Sequence, residues 1–256
     1  MDARLTATQH EQFQRDGYLV LRGFFARDDL AAVDRETDAL LARDDLKDPA
    51  NLRVRWKYHC ETGEPLFDCF DPVIDLSPGA RALANDPRLR AVLEDLHGDR
   101  VHLFKDSVTY KLGGAFGEPP HWNFFAWSGF PRSFTTAVIA IDGASAENGC
   151  IEVFPGAHAQ GGLAEHGGIL DALPDEVLGG VAPVALDLAP GDVAFFGAFM
   201  PHRSDTNRTD SSRRHLFFSY NADRDGGEQR APYYEAFDRF RRAAYGMQVR
   251  REPYFR

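Results

Sequence analysis

Two histidines stand in contexts that suit chemistry. His121 opens His-Trp-Asn within PPHWNFFAWSGFPR (119–132), a run dense in aromatic side chains that follows a Gly/Pro-rich loop. His202 follows a long apolar stretch, in FFGAFMPHRSDTNRTDSSRR. Two imidazoles and one carboxylate, with the other coordination positions open, form a donor set suited to non-haem Fe(II). In an extended segment residues i and i+2 share a face, so His121 and Asn123 can address one cavity. The spacing fits that chemistry. The residue at 123 is an amide where a carboxylate is wanted.

Further polar groups are placed to serve such a cavity. Arg213 lies one strand and a return turn beyond His202, and its planar fork suits a carboxylate. Ser204 shares a face with His202 if that segment is extended. Taken alone, Arg213 and Arg214 read first as solvated charges on an edge strand. RVRWK (53–57) puts Arg53, Arg55 and Lys57 on alternate positions, a local positive face for an anionic substrate group or simply a solvated edge. Lys105, Tyr110, Lys111 and Arg132 are additional pocket candidates. Phe124, Phe125, Trp127 and Phe130 can exclude water, or pack as plain core. Trp127 and its neighbours also suit an ammonium by cation–π attraction. Asn148 either meets substrate or stabilises its turn. His10, His97 and His158 read as structural or surface histidines, and Cys150, flanked by apolar residues, as inert.

The elements that must position these groups come in the order helices, strands, helix. Thr6 and Gln9 form a capping box for a first helix ending near Asp16-Gly17. A buried strand is expected over 18–25. Asp28 or Asp29 can cap a second helix, with Leu30, Val33, Thr37 and Leu41 as its apolar stripe. Residues 43–76 read as an irregular layer or lid, and a broken helical stretch ends at Gly98. Strands follow at 101–112, 135–142, 149–156, 182–199 and 214–222, punctuated by Gly and Pro. The end is helical. The expected organisation is one domain over 1–256: a helical part to about 98, a β core to about 225 and a terminal helix over about 230–246. A β-sandwich or small barrel with helices outside fits this order.

Bulk properties narrow the function classes. The 256 residues are 43% hydrophobic, enough for a sizeable core, and the net charge of −10 argues against nucleic acid as partner. Three cysteines form no disulfide framework. No stretch approaches the roughly 20 apolar residues that cross a bilayer. A cytoplasmic protein with no membrane partner is the expectation, and oligomeric state is not legible.

Several blocks together resemble the phytanoyl-CoA dioxygenase family of Fe(II)- and 2-oxoglutarate-dependent oxygenases: QFQRDGYLVLRGFF, AENGCIEVFPGAH and LAPGDVAFFGAFMPHRSDTNRTDSSRRHLFFSYN. They occur in the family's order and span most of the chain. The resemblance implies a mainly β fold with flanking helices, built on a double-stranded β-helix (jelly-roll, cupin-like) core. It implies Fe(II) and 2-oxoglutarate as cofactors, dioxygen as co-substrate, and a His-x-Asp…His ligand set falling here on His121, Asn123 and His202. Arg213 matches the arginine that binds the distal carboxylate of 2-oxoglutarate, with Ser204, Tyr110 and Lys111 as further co-substrate candidates. Phe124, Trp127, Arg132, Asn148, Arg53, Arg55 and Lys57 are the substrate-binding candidates. The ectoine hydroxylase and aminophosphonate hydroxylase branches are the nearest in texture, which implies hydroxylation of a small zwitterionic or anionic metabolite rather than a CoA thioester. Asn123 departs from the family's aspartate. Four readings follow: a working but weaker ligand; a residue displaced by halide or water, as in a halogenase; a non-catalytic relative; or an Asp→Asn substitution that traps a complex. Glu118 and Asp106 are the carboxylates considered as replacements for the missing one, though neither has the i+2 spacing.

Overall fold

The computed structural model describes residues 4–48, 51–123, 131–160 and 172–245. Two antiparallel sheets face each other, and helices cover the outer side of the larger one. In chain order the elements are α1 (Ala7–Asp16), β1 (Tyr18–Leu21), α2 (Arg27–Leu41), β2 (Val54–Tyr58), β3 (Pro65–Phe70), α3 (Pro78–Ala84), α4 (Pro87–His97), β4 (Val101–Lys111) and β5 (Glu118–His121). They continue with β6 (Thr135–Ala140), β7 (Ile151–Val153), α5 (Asp175–Leu178), β8 (Val184–Ala185), β9 (Val193–Gly197), β10 (His202–Ser204), β11 (Arg213–Ala222) and α6 (Arg230–Tyr245). The large sheet runs β1-β9-β6-β11-β4-β3-β2 and the small one β5-β10-β7-β8. This is the mainly β, jelly-roll arrangement expected.

Period-two alternation builds the two layers. On β6, Ala137 and Ile139 pack with the helices, while Val138 and Ala140 face the small sheet. On β9, Val193 and Phe195 take the helix side, and Ala194 and Phe196 the inter-sheet side. Every one of these side chains is fully buried, so a register slip of one residue would exchange both layers.

The helices start and stop where local chemistry dictates. The Thr6–Gln9 capping box forms, and α1 ends on Gly17 in the left-handed region at φ 79°. Ser77 and Asp86 cap α3 and α4, each followed by proline in the first turn. The cap of α2 differs from expectation: Ala26 is the capping residue, and Asp29 accepts from its backbone N–H at 2.8 Å. The buried stripe of α2 ends on Leu40 rather than Leu41.

Three strand expectations are corrected. The first strand stops at Leu21, where Arg22 and Gly23 turn the chain and Asp192 accepts from both. The stretch 182–199 splits into β8 and β9 around the Pro190-Gly191 turn. Residues 43–76 are less irregular than expected, because β2 and β3 extend the large sheet beyond β4. Their alternation is blurred by charged residues facing a cavity and by a bulge between Arg55 and Trp56.

Candidate active site between the sheets

A cavity of about 290 Å³ opens between the sheets, walled by β2, β3, β4, β6 and β11 on one side and β5, β7 and β10 on the other. His121 ends β5 and His202 begins β10. The antiparallel register sets them directly opposite each other, with ring centroids 4.3 Å apart. Each Nδ1–H donates to a carbonyl two residues earlier, His121 to Pro119 at 2.9 Å and His202 to Met200 at 2.9 Å. That fixes the tautomer and leaves Nε2 of each ring as the lone-pair donor, the arrangement metal-bound histidines adopt. Burial, then the neighbouring His121, pushes the His202 pKa down to about 3. His202 is therefore neutral at any ordinary pH, as a ligand must be.

Asn123 lines the same cavity, and its Nδ2 donates to Thr136 Oγ1 at 3.3 Å. Thr136 Oγ1 in turn lies 2.9 Å from Ser219 Oγ. With its nitrogen spent on Thr136, the amide offers Oδ1 to a cation. Among the described residues no group of three His, Cys, Asp or Glu side chains stands together as a metal site. Among the described residues the cavity wall then offers two imidazoles and the Asn123 amide as a neutral donor set. That set fits Fe(II) with one fewer negative charge than a carboxylate would bring.

At another part of the wall lies a cationic pair. Lys111 on β4 and Arg213 on β11 are paired in register. Lys111 Nζ donates to Ser204 Oγ at 2.8 Å, and Arg213 donates to the Gly149 carbonyl at 2.9 Å and to His215 Nδ1 at 2.7 Å. Burial, then Lys57 and Arg213, lowers the Lys111 pKa to about 7. Burial lowers Arg213 to about 10. Two cations forced together out of water make a pocket that gains from a carboxylate.

The β2–β3 side of the wall carries compensated charge. Lys57 bridges Asp68 at 3.3 Å and Glu118 at 3.1 Å, and Arg55 holds Asp71 at 2.6 Å. Lys57 holds Glu118 well below the usual carboxylate range. Glu118 lines the cavity; Asp106 does not, because it lies on the opposite face of β4, accepting from the N–H groups of Val73 and Ile74.

The structure brings His121, Asn123, His202, Ser204, Lys111, Arg213, Arg55 and Lys57 to this one cavity. Four candidates lie elsewhere. Tyr110 points from the other face of β4, where its hydroxyl donates to the Thr37 carbonyl at 2.8 Å. Asn148 is consumed by its own turn, accepting from Ser145 N–H and donating to the Gly143 carbonyl, both at 2.9 Å. Arg132 is exposed, with its guanidinium 5.6 Å from the Phe199 ring. Arg53 precedes β2, so strand alternation does not govern it, and it meets Asp75 at 3.2 Å. Phe124 and Trp127, with Phe125 and Phe130, lie outside the described residues. Unanticipated wall residues are Asp68, Ser107, Thr109, Thr136, Ser219 and, from α6, Phe237 and Arg241. The alternation Lys105-x-Ser107-x-Thr109-x-Lys111 was the signal for the β4 members.

Comparison with known proteins agrees with this geometry. Residues 13–215 match the family Phytanoyl-CoA dioxygenase (PhyH). The chain is 31% identical to dioxygenase lolE1 of Epichloe uncinata, over 90% of this chain and 88% of that protein. It is 26% identical to a 2-aminoethylphosphonate dioxygenase from an uncultured bacterium, over 90% of this chain and 86% of that protein. Among solved structures it superposes on EctD from S. alaskensis, crystallised with 2-oxoglutarate and 5-hydroxyectoine, with a TM-score of 0.71 and 25% identity, covering 86% of this chain and 77% of that one. No helix among the described residues is long and apolar enough to cross a membrane. This chain belongs to the phytanoyl-CoA dioxygenase family and is a 2-oxoglutarate-dependent dioxygenase, with Fe(II) and 2-oxoglutarate as its cofactors.

Proposed function

We propose that this protein hydroxylates a small polar metabolite, zwitterionic or anionic, in the cavity between the sheets, with dioxygen as oxidant. The observation that carries the reading is the facing pair His121–His202, each ring locked with Nε2 as its donor, in the cavity that also holds Lys111 and Arg213. His121, His202 and the Asn123 amide oxygen would hold Fe(II). Lys111, Arg213 and Ser204 would hold the distal carboxylate of 2-oxoglutarate. When bound, Fe(II) together with 2-oxoglutarate supplies the oxidising power for attack on an unactivated C–H bond. Over the whole reaction one oxygen atom enters the substrate C–H bond, and the other enters succinate as CO2 leaves.

The chain's own contribution is orientation and exclusion of water. Thr136 and Ser219 fix the Asn123 amide plane. Ile151, Phe217 and Phe237 give the wall its apolar part. The Lys57–Glu118 and Arg55–Asp71 pairs match the charge that β2 brings to the wall. A volume near 290 Å³ suits a small metabolite. The 2-aminoethylphosphonate dioxygenase and the EctD complex with 5-hydroxyectoine support a small polar substrate. A halogenase reading gains no support here, because the Asn123 side chain occupies the wall and is tied to Thr136.

The test is a succinate-release screen with Fe(II), 2-oxoglutarate and a broad panel of small amino, carboxylate and phosphonate compounds. Succinate formed with a matching oxygenated product is expected for at least one. Tight 2-oxoglutarate binding with no succinate across the panel would favour a non-catalytic relative.

A further inference from the structure

Arg213, His215, Phe217 and Ser219 alternate along β11 on the face turned toward the small sheet. Arg213, Phe217 and Ser219 line the cavity, and His215 does not. His215 is 0% exposed and pairs in register with Thr109 of β4 and Ala140 of β6. An apolar side chain would fill this place without the cost of desolvating an imidazole. What the imidazole adds is an acceptor for Arg213, whose Nη1 lies 2.7 Å from Nδ1 and 3.4 Å from Nε2. Arginine only donates, so Nδ1 holds a lone pair and the ring proton sits on Nε2. Burial, then Arg213 and Lys111, holds the His215 pKa well below its usual value, so the ring is neutral and able to accept.

A guanidinium carries five N–H groups. In Arg213, Nε donates to the Asn148 carbonyl at 3.4 Å, Nη2 to the Gly149 carbonyl at 2.9 Å and Nη1 to His215. One N–H then remains on each terminal nitrogen, a pair that can address both oxygens of one carboxylate. Asn148 and Gly149 hold Nε and Nη2, and of the three acceptors His215 alone holds Nη1. Removing it leaves a buried donor without that acceptor and frees the fork to turn. A carboxylate at position 215 would hold the fork too, but it would neutralise the arginine and compete with the ligand. A neutral acceptor fixes the fork and leaves its charge for the ligand.

We propose that His215 is a positioning residue for 2-oxoglutarate: by accepting from Nη1 it holds the Arg213 fork so that the two remaining N–H groups meet the distal carboxylate. It acts through Arg213 and touches no reacting atom. Its neutrality preserves the positive charge of the Lys111–Arg213 end, and its hydrogen bond sets the direction in which that charge is offered. The proposal rests on the assignment of Arg213 to the distal carboxylate of 2-oxoglutarate.

The experiment is anaerobic calorimetric titration of the Fe(II)-loaded full chain with 2-oxoglutarate and, separately, with 2-oxobutyrate, which has the same 2-oxo acid head and no distal carboxylate. His215→Leu removes the acceptor and keeps an apolar side chain in its place. It should weaken 2-oxoglutarate about tenfold or more, the loss of one charge-assisted hydrogen bond. It should change 2-oxobutyrate affinity less than about twofold. His215→Asn puts an amide oxygen where Nδ1 stands and should restore most of the 2-oxoglutarate affinity. A packing role alone would neither separate the two ligands nor be rescued by the smaller polar residue. His215→Ala gives the same comparison if the leucine variant does not fold. Equal 2-oxoglutarate affinity in His215→Leu and the unaltered chain overturns the proposal. So does an equal loss for both ligands, or an asparagine variant as weak as the leucine one. Binding of 2-oxoglutarate that Arg213→Met leaves unchanged overturns the assignment of Arg213 itself, and that failure is read independently of residue 215.

Discussion

Lys111 and Arg213 face each other across the β4–β11 ladder, and each is held by neutral acceptors: Ser204 for the lysine, the Gly149 carbonyl and His215 for the arginine. A carboxylate entering between them meets two positive groups already fixed in place. Arg213→Lys removes the planar fork and should raise the Kd for 2-oxoglutarate about 10- to 100-fold with the fold intact. Isothermal titration with circular dichroism as a folding control checks both parts.

The same pair predicts a pH dependence. Lys111 must be charged to meet a carboxylate, and burial beside Lys57 and Arg213 lowers its pKa to about 7, against the pull of Glu118 and Asp68. Below that pH the ammonium is already charged. Above it, binding must take up a proton, so 2-oxoglutarate affinity should fall as pH rises, by up to about tenfold per unit. Lys111→Met should bind weakly at low pH and show a flatter profile. Titrations between pH 6 and 9, a span of about three units around the lysine's pKa, measure this slope directly.

Tyr110 offers a contrast. It is one residue from Lys111 but on the other face of β4, with its hydroxyl on the Thr37 carbonyl of α2. Tyr110→Phe should leave 2-oxoglutarate affinity unchanged and cost about 1 kcal/mol of stability, the value of one buried hydrogen bond. A large loss of 2-oxoglutarate affinity would place the phenol in the cavity after all. Urea unfolding and titration on one preparation separate the two.

In the proposed site, Asn123 sets the charge presented to the metal. Asn123→Asp keeps the size of the side chain and adds the negative charge that a hard cation favours. Fe(II) affinity should rise about tenfold or more. Anaerobic metal competition against a chromophoric chelator reads this without turnover. Unchanged affinity would mean that residue 123 does not touch the metal.

The chemistry of the site was legible where local context made it so. His121 and His202 stood out because one enters an aromatic run and the other follows a long apolar stretch, and the β register then placed them together. Lys111 and Arg213 were candidates by residue type. Alternation along β4, applied strictly, would have kept Lys105 and Lys111 and rejected Tyr110, since even-numbered β4 residues such as Asp106 and Val108 take the helix side. Arg53 was misplaced because alternation holds only inside a strand, and β2 begins one residue later. β2 and β3 were read as irregular because their cavity-facing charges pair with each other, an arrangement that single-chain hydropathy does not register. Asn148 illustrates the opposite limit: a turn residue and a ligand residue look alike until the turn's own hydrogen bonds are seen.

The most direct test of the central claim is an anaerobic titration of this chain with Fe(II) and 2-oxoglutarate, following the weak metal-to-ligand charge-transfer absorption in the visible. The account predicts that the band appears in the unaltered protein, shifts when an accepted substrate is added, and is lost in His202→Ala. A band absent from this chain but present in Asn123→Asp would contradict it, because the amide would then be what prevents the site from assembling.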